Sequence, residues 1–168
     1  MNIDGFEIER KFLIAMPDAA FLQGCDNSEI VQTYLLGEAD TTERVRKRVR
    51  GEKCEYTHTI KRKLSSMRRI EEEHEIDEAA YLALLERADP GRTPIVKTRS
   101  CFYDGGKLWE LDVFSFWDDR AFLEIELKDE AEDFTLPAGI RLIREVTDDP
   151  RYTNAALSLH IPEEEMEP

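Results

Sequence analysis

The chain has 168 residues, of which 41% are hydrophobic and 36% are charged, so it is long enough for one domain with a sizeable core. Its formal net charge of −14 argues against a general binder of nucleic acids or anionic membranes, because the long-range field repels phosphate. A phosphate ligand would therefore need local basic clusters or metal cations to attract it.

The pattern of apolar and polar residues predicts a protein built mainly of strands. In chain order the predicted elements are a strand at 5–14, a helix at 18–24, strands at 30–37, 43–51, 54–63 and 69–76, a helix at 78–88, strands at 94–103, 107–114 and 121–128, and helices at 129–134 and 151–160. Asp77 is the expected N-cap of the second helix, and Asp104-Gly105-Gly106 is an expected hairpin turn. No linker divides the chain, so residues 1–168 are assigned to one domain with a flexible acidic tail at about 162–168.

The three cysteines, Cys25, Cys54 and Cys101, lie far apart and lack C-x-x-C spacing, which favours a reducing compartment over a disulfide framework. No stretch near the start resembles a signal peptide, and none approaches the length that spans a membrane. We therefore expect a cytoplasmic protein, either a monomer or a homodimer, without a membrane or nucleic-acid partner.

Charge collects on one face of almost every predicted strand, because residues i and i+2 share a face. The basic sets are Arg44, Arg46, Arg48 and Arg50; Lys61 and Lys63; and Lys97 and Arg99. The acidic or mixed sets are Glu7, Glu9 and Lys11; Glu71, Glu73 and Glu75; Glu110 and Asp112; and Glu124, Glu126 and Lys128. Any one of these faces could simply be solvated. Solvated faces normally mix signs, however, whereas here the signs are segregated by strand. Strands closed into a barrel with the charge inward would place acidic and basic walls across a wet lumen.

This chemistry suits a triphosphate bound together with a divalent metal. Arginine binds phosphate oxygens in pairs, and lysine binds them as a point charge. Facing carboxylates would repel the ligand unless a hard cation such as Mg²⁺ or Mn²⁺ lies between them. A bound metal can lower the pKa of a water, and a carboxylate can receive that water's proton.

Six ordered motifs resemble those of the CYTH superfamily, the triphosphate tunnel metalloenzymes. They are E-x-E-x-K at 7–11, R-x-R at 44–46 with Lys61 after it, K-x-R at 97–99, E-x-D at 110–112, E-x-E at 124–126 and R-Y-x-N at 151–154. The resemblance implies an α+β, mainly β fold: an eight-stranded antiparallel β-barrel that forms a tunnel, with helices packed outside.

The resemblance also implies a role for each matching residue. The catalytic set would be Glu7, Glu9, Lys11 and Glu126. The substrate would be bound by Lys11, Arg44, Arg46, Lys61, Lys63, Lys97, Arg99 and Arg151. Mg²⁺ or Mn²⁺ would be held by Glu7, Glu9, Asp112, Glu124 and Glu126, with Glu73 and Glu75 assigned to the metal or to positioning a water.

The chain looks most like short bacterial inorganic triphosphatases, which implies metal-dependent hydrolysis of inorganic tripolyphosphate and leaves nucleoside triphosphates open as further substrates. The motifs bind the triphosphate group that the substrates of the superfamily share, so they do not distinguish among the activities of its members. The alternatives are a class IV adenylate cyclase, a thiamine triphosphatase, and a module that binds polyphosphate without turnover.

Overall fold

The computed structural model describes residues 8–64 and 69–164, which adopt a mainly β, α+β fold with a nine-stranded antiparallel sheet and few helices. The strands are β1 (Ile8–Ala15), β2 (Asp26–Tyr34), β3 (Thr41–Arg50), β4 (Lys53–Lys63), β5 (Arg69–Ile76), β6 (Ile95–Asp104), β7 (Lys107–Phe114), β8 (Arg120–Leu127) and β9 (Leu142–Glu145). The helices are α1 (Ala19–Gln23), α2 (Glu78–Leu85) and α3 (Asn154–Leu157), with a 3₁₀ turn at Pro150–Tyr152.

The described chain divides into two compact units. The first unit contains the residues up to Asn27, Lys97–Asp149 and the segment from Glu163, and the second contains Ser28–Val96 and Pro150–Pro162. The strand order is β6-β7-β8-β1-β9 in the first unit and β5-β4-β3-β2 in the second. The assignment to one domain and the closure of the sheet into a barrel stay predictions.

The core of the first unit lies on the apolar face of β1, β7 and β8. Its buried members occupy alternate positions along each strand, and they are Phe12, Ile14, Trp109, Leu111, Ala121, Leu123, Ile125 and Leu127. Phe134 covers this cluster, and its ring meets Trp109 edge-on at a centroid distance of 5.9 Å. Period-two alternation therefore leaves the opposite face of these strands for polar chemistry.

In the second unit, α2 covers the apolar face of β3 and β4. Tyr81 of α2 packs with Val45 and Leu35, and its ring lies 4.8 Å from that of Tyr56. The predicted N-cap is confirmed, because an Asp77 carboxylate oxygen accepts a hydrogen bond from the Ala80 N–H at 2.8 Å.

Three sequence predictions about elements are wrong. The described residues form nine strands instead of the eight predicted, since β9 pairs with the edge of β1 through contacts such as Val146 N–H to the Lys11 carbonyl at 2.9 Å. The helix at 129–134 does not form, because the Asp129 side chain accepts the Ala131 N–H and the Glu132 side chain accepts the Lys128 N–H in a turn. The closing helix is shorter than 151–160 and begins only after Thr153, which caps it.

Of the acidic tail, residues 165–168 lie outside the described residues. Among the helices of the described segments, none has the length and apolar character needed to cross a bilayer.

Candidate functional site

In the first unit, β1, β8 and β7 place their acidic and basic side chains on one face. Residues directly opposite each other in an antiparallel pair share a face. The register pairs Glu9 with Glu126 and Lys11 with Glu124, and it also pairs Glu124 with Glu110. Lys11 Nζ lies 3.1 Å from a Glu124 carboxylate oxygen. Five residues predicted from separate motifs are therefore brought together as the sequence pattern indicates.

The centre of this face is an ion cluster around Asp112. Lys97 Nζ donates to Asp112 Oδ2 at 2.6 Å, and Arg99 donates from Nε and Nη2 to the two Asp112 oxygens at 2.8 Å each. The same guanidinium forms an ion pair with Glu110 and lies 3.6 Å from a Glu124 oxygen. The K-x-R, E-x-D and E-x-E motifs thus meet in one network.

Because this cluster is buried, its charged groups strongly shift one another's pKa values. Burial would raise the pKa of the Asp112 carboxyl, but the Lys97 and Arg99 cations hold that pKa well below its usual range. Burial lowers the pKa of the Lys97 ammonium, and the Asp112 charge partly offsets this. The carboxylates of Asp112, Glu110 and Glu124 raise the pKa of the Arg99 guanidinium against the effect of burial.

Glu9 also lies on this face, and its carboxyl group has a raised pKa. Its pKa is raised from 4.5 to about 7, first because protein atoms shield its carboxylate from water and second because the Glu124 carboxylate repels its charge. Lys11 and Arg99 oppose this shift. The residue as a whole keeps an exposed surface, so water screens part of these interactions.

Aromatic rings close one end of the charged face. Lys11 Nζ lies 5.0 Å from the centroid of the Phe122 ring, and Lys97 Nζ lies 5.4 Å from that of Phe114. Trp117 packs edge-on against both rings, at centroid distances of 5.2 Å and 5.6 Å. These contacts place two ammonium groups over aromatic faces, an arrangement that stabilises cations.

In the second unit, β3 directs the predicted arginines to a single face. Arg44 pairs with Tyr34 and Arg46 pairs with Gln32 across β2 and β3. Arg46 donates from Nε and Nη2 to the Gln32 side-chain oxygen at 3.2 Å and 3.0 Å, and Gln32 in turn donates to the Tyr34 hydroxyl at 2.8 Å. A neutral amide therefore holds the Arg46 guanidinium on this face.

Two polar atoms on this face are buried without a hydrogen-bond partner among the described residues. They are Arg44 Nε and the Thr57 hydroxyl. Burying a donor without a partner costs free energy that a ligand oxygen could recover. An acceptor oxygen at Arg44 Nε would satisfy this donor.

The acidic strand β5 pairs with β4 in antiparallel register. Glu73 accepts a hydrogen bond from the Thr59 hydroxyl at 2.8 Å, and Lys61 Nζ lies 3.2 Å from a Glu71 oxygen. Glu75 and Lys63 are exposed. Lys61 and Glu71 thus partly neutralise each other.

Arg151 is exposed at the 3₁₀ turn, and its guanidinium lies 5.6 Å from the centroid of the buried Tyr152 ring. The side-chain oxygen of Asn154, the last residue of the R-Y-x-N motif, has no hydrogen-bond partner within residues 8–64 and 69–164. The phosphate-binding role of Arg151 stays a prediction.

The carboxylates of the first unit fit a divalent cation by their chemistry. Glu9 faces Glu126, and Glu110 faces Glu124, although like charges directly opposite are unfavourable unless a cation neutralises them. Mg²⁺ and Mn²⁺ prefer such oxygen ligands. Within the described segments, no three His, Cys, Asp or Glu side chains are gathered as a metal cluster. Glu7, a further predicted ligand, lies outside the described residues.

Sequence reasoning missed Gln32, Tyr34, Thr57 and Thr59, which line the charged face of the second unit. Gln32 is 0% exposed, Tyr34 is 4% exposed and Thr59 is 1% exposed. The signal in the sequence was a glutamine within the run Ile30-Val31-Gln32-Thr33-Tyr34, whose other members favour a strand; an amide that becomes buried there needs specific partners.

The CYTH domain family matches residues 5–152 of the chain. The inorganic triphosphatase of Nitrosomonas europaea is 37% identical over 164 residues, which cover 93% of this chain and 99% of that protein. The inorganic triphosphatase of Acetivibrio thermocellus is 34% identical over 154 residues, which cover 91% of this chain and 93% of that protein. The crystal structure of the inorganic triphosphatase NE1496 aligns with a TM-score of 0.62 and 33% identity, covering 94% of this chain and 97% of that chain. This chain therefore belongs to the CYTH domain family.

Proposed function

We propose that this protein is a triphosphatase that hydrolyses inorganic tripolyphosphate with the help of Mg²⁺ or Mn²⁺. The observation that carries the proposal is the charged face of the first unit, where cations alternate with like-charged carboxylate pairs. Two relatives that span more than nine tenths of the chain and are named inorganic triphosphatases support the substrate class.

The substrate is held by cations that already have a defined orientation. Arg99 and Lys11 of the first unit each contact a carboxylate that a phosphate can replace. In the second unit the proposed phosphate ligands are Arg44, Arg46, Lys61, Lys63 and Arg151. Arginine suits this role because its guanidinium binds two phosphate oxygens at once.

The metal would be held by Glu7, Glu9, Glu124 and Glu126, with Glu73 and Glu75 assigned to the metal or to positioning a water. When bound, the metal neutralises phosphate charge and lowers the pKa of a water. Of the proposed catalytic set, Glu9 and Glu126 supply the carboxylates that can receive the proton of the attacking water. Lys11 stabilises the charge that develops on the phosphate.

The test is phosphate release from tripolyphosphate, ATP and thiamine triphosphate, with Mg²⁺, with Mn²⁺ and with a chelator. We expect wild type to release orthophosphate from tripolyphosphate fastest and the Glu9→Ala variant to lose most of that activity. Glu130→Ala is the matched control, because Glu130 is an exposed carboxylate in the turn after β8. Equal rates for wild type and Glu9→Ala would contradict the proposed role of Glu9.

The same experiment separates the alternatives. A cyclase converts ATP to cyclic AMP and pyrophosphate without orthophosphate, which chromatography resolves. A thiamine triphosphatase prefers thiamine triphosphate to tripolyphosphate. A binding module binds tripolyphosphate in calorimetry and releases no product with either metal.

A further inference from the structure

The 3₁₀ turn and the helix α3 form one short element at residues 150–158, which we call the closing segment. The Thr153 hydroxyl joins its two parts, because it accepts the Ala156 N–H at 3.1 Å and donates to the Pro150 carbonyl at 3.4 Å. Helix α3 has only four residues, and a helix of that length is not stable by itself in water. Contacts with the rest of the second unit must therefore hold the closing segment, which carries the proposed phosphate ligand Arg151.

Arg92 supplies such a contact at the C-terminal end of α3. Its Nη1 donates to the Ala155 carbonyl at 2.9 Å and to the Ser158 hydroxyl at 3.0 Å. The adjacent Thr93 N–H donates to the Ser158 carbonyl at 2.8 Å. The last carbonyls of a helix lack partners within the helix, so donors from outside are needed to satisfy them.

The Arg92 guanidinium is also fixed to the body of the second unit. Its Nε lies 3.5 Å from Asp89 Oδ2, and its central carbon lies 5.3 Å from the centroid of the Tyr34 ring. Tyr34 belongs to β2 and is 4% exposed, and its carbonyl accepts the Asp89 N–H at 2.9 Å. An ion pair and a cation–π contact thus orient the same guanidinium that binds the end of α3.

The contacts of Arg92 add direction to the apolar anchors of the closing segment. Tyr152 and Leu157 are 1% and 2% exposed, so they bury the segment. Burial of apolar surface is non-directional, whereas hydrogen bonds require a defined angle. Arg151 is exposed, so the direction of its side chain depends on the orientation of the backbone that carries it.

We propose that Arg92 is a positioning residue that orients the closing segment so that Arg151 can bind phosphate. The inference rests on the proposed function, and it gives Arg92 no contact with the substrate. The sequence motifs assign no role to Arg92, because its partners in α3 lie more than 60 residues further along the chain.

The variants Arg92→Met and Arg92→Lys test this role. Arg62→Met is the matched control, because Arg62 is an exposed arginine on the face of β4 opposite to that of Lys61. Circular dichroism and a thermal melt check the fold. Phosphate release with Mn²⁺ gives kcat and KM for tripolyphosphate, and calorimetry with tripolyphosphate and a chelator gives its affinity without turnover.

We expect both Arg92 variants to bind tripolyphosphate about fivefold to tenfold more weakly, because a displaced Arg151 loses most of one charge-assisted contact. Arg62→Met should bind like wild type. Lysine keeps the positive charge of Arg92 but lacks the planar fork that reaches α3 and Asp89 together. Full affinity in Arg92→Lys would show that only the charge matters and would overturn the inference, and so would unchanged affinity in Arg92→Met.

A double-mutant cycle identifies the residue through which Arg92 acts. In an Arg151→Met background, Arg92→Met should weaken binding by less than about twofold further. The other route open to it runs through Tyr34, whose hydroxyl accepts from Gln32, the partner of Arg46. A full further loss in the Arg151→Met background would indicate that route or direct contact and would overturn the inference, as would wild-type affinity in Arg151→Met alone.

Arg92→Lys keeps a cation beside Asp89 and can be used in the same cycle, so the test does not depend on the folding of Arg92→Met. A wild-type protein that binds tripolyphosphate without hydrolysing it would contradict the proposed function and leave this inference standing. Failure of the wild type to bind tripolyphosphate in either assay would contradict both.

Discussion

Proton competition at Glu9 should control metal binding near neutral pH. The pKa of Glu9 is about 7 in the metal-free protein, because its carboxylate is shielded from water and faces the charge of Glu124. A carboxyl group must lose its proton before it binds a metal. Metal affinity is therefore expected to fall as the pH is lowered through 7.

The size of the effect follows from the ionised fraction of Glu9. With a pKa of about 7, Glu9 is ionised in roughly 9% of molecules at pH 6 and in roughly 91% at pH 8. The apparent Kd for Mn²⁺ should therefore be about tenfold higher at pH 6 than at pH 8. A carboxyl group with the ordinary pKa of 4.5 is almost fully ionised at both values, and it would change this Kd by less than about 1.1-fold.

Calorimetric titration with Mn²⁺ at pH 6, 7 and 8 measures this dependence. Repeating the titration in buffers of different ionisation enthalpy counts the protons released on binding. The Glu9→Gln variant is expected to bind more weakly and to lose the tenfold slope, while Glu130→Ala should keep both the affinity and the slope. An affinity for Mn²⁺ that is constant between pH 6 and pH 8 in wild type would refute the reasoning, as would an unchanged slope in Glu9→Gln.

Two further predictions concern the stability of the metal-free protein. The pKa of Glu9 is higher in the folded protein than its ordinary value of 4.5, so its ionisation lowers the free energy of unfolding as the pH rises from about 4.5 to about 7. Glu9→Gln should therefore raise the Tm at pH 8 and leave it unchanged at pH 4, and equal Tm values at pH 8 would count against the shift. Trp109 is 0% exposed, and Trp109→Ala is expected to cost about 3–5 kcal/mol in urea denaturation. Tyr103→Ala is the control, because Tyr103 is 77% exposed and should cost less than about 0.5 kcal/mol; similar costs for the two would contradict the assigned core.

The faces of the strands could be predicted because a strand has a strict period of two. Glu9 and Lys11 were placed on one face from their spacing alone, and the register brings them opposite Glu126 and Glu124. The same rule predicted the apolar face, and Leu123, which was placed on it, is buried. The family match at residues 5–152 confirms the resemblance drawn from the motifs.

The contact partners of individual side chains and their degree of burial could not be predicted, because both depend on strands that lie far apart in the chain. Asp112 reads as one of two similar carboxylates in E-x-D, yet it is 0% exposed while Glu110 is only half-buried. The difference arises from Lys97 and Arg99, which reach it from another strand. β9 was missed for the same reason. Its four residues carry no strand pattern of their own, and the strand is defined by its pairing with β1. The role of Glu7 stays a prediction.

Glu124 is shared by two cations, and this sharing affects the free energy of ligand binding. Its carboxylate is the common partner of Lys11 and Arg99 when the face holds no ligand. A phosphate that takes over these two cations releases Glu124, and a metal that takes over Glu124 releases the two cations. We therefore expect an anion and a cation to bind by exchanging partners within this group of ion pairs, so that each reduces the cost of binding the other. Such positive heterotropic coupling is reciprocal, so the factor by which the metal tightens the anion is the same factor by which the anion tightens the metal.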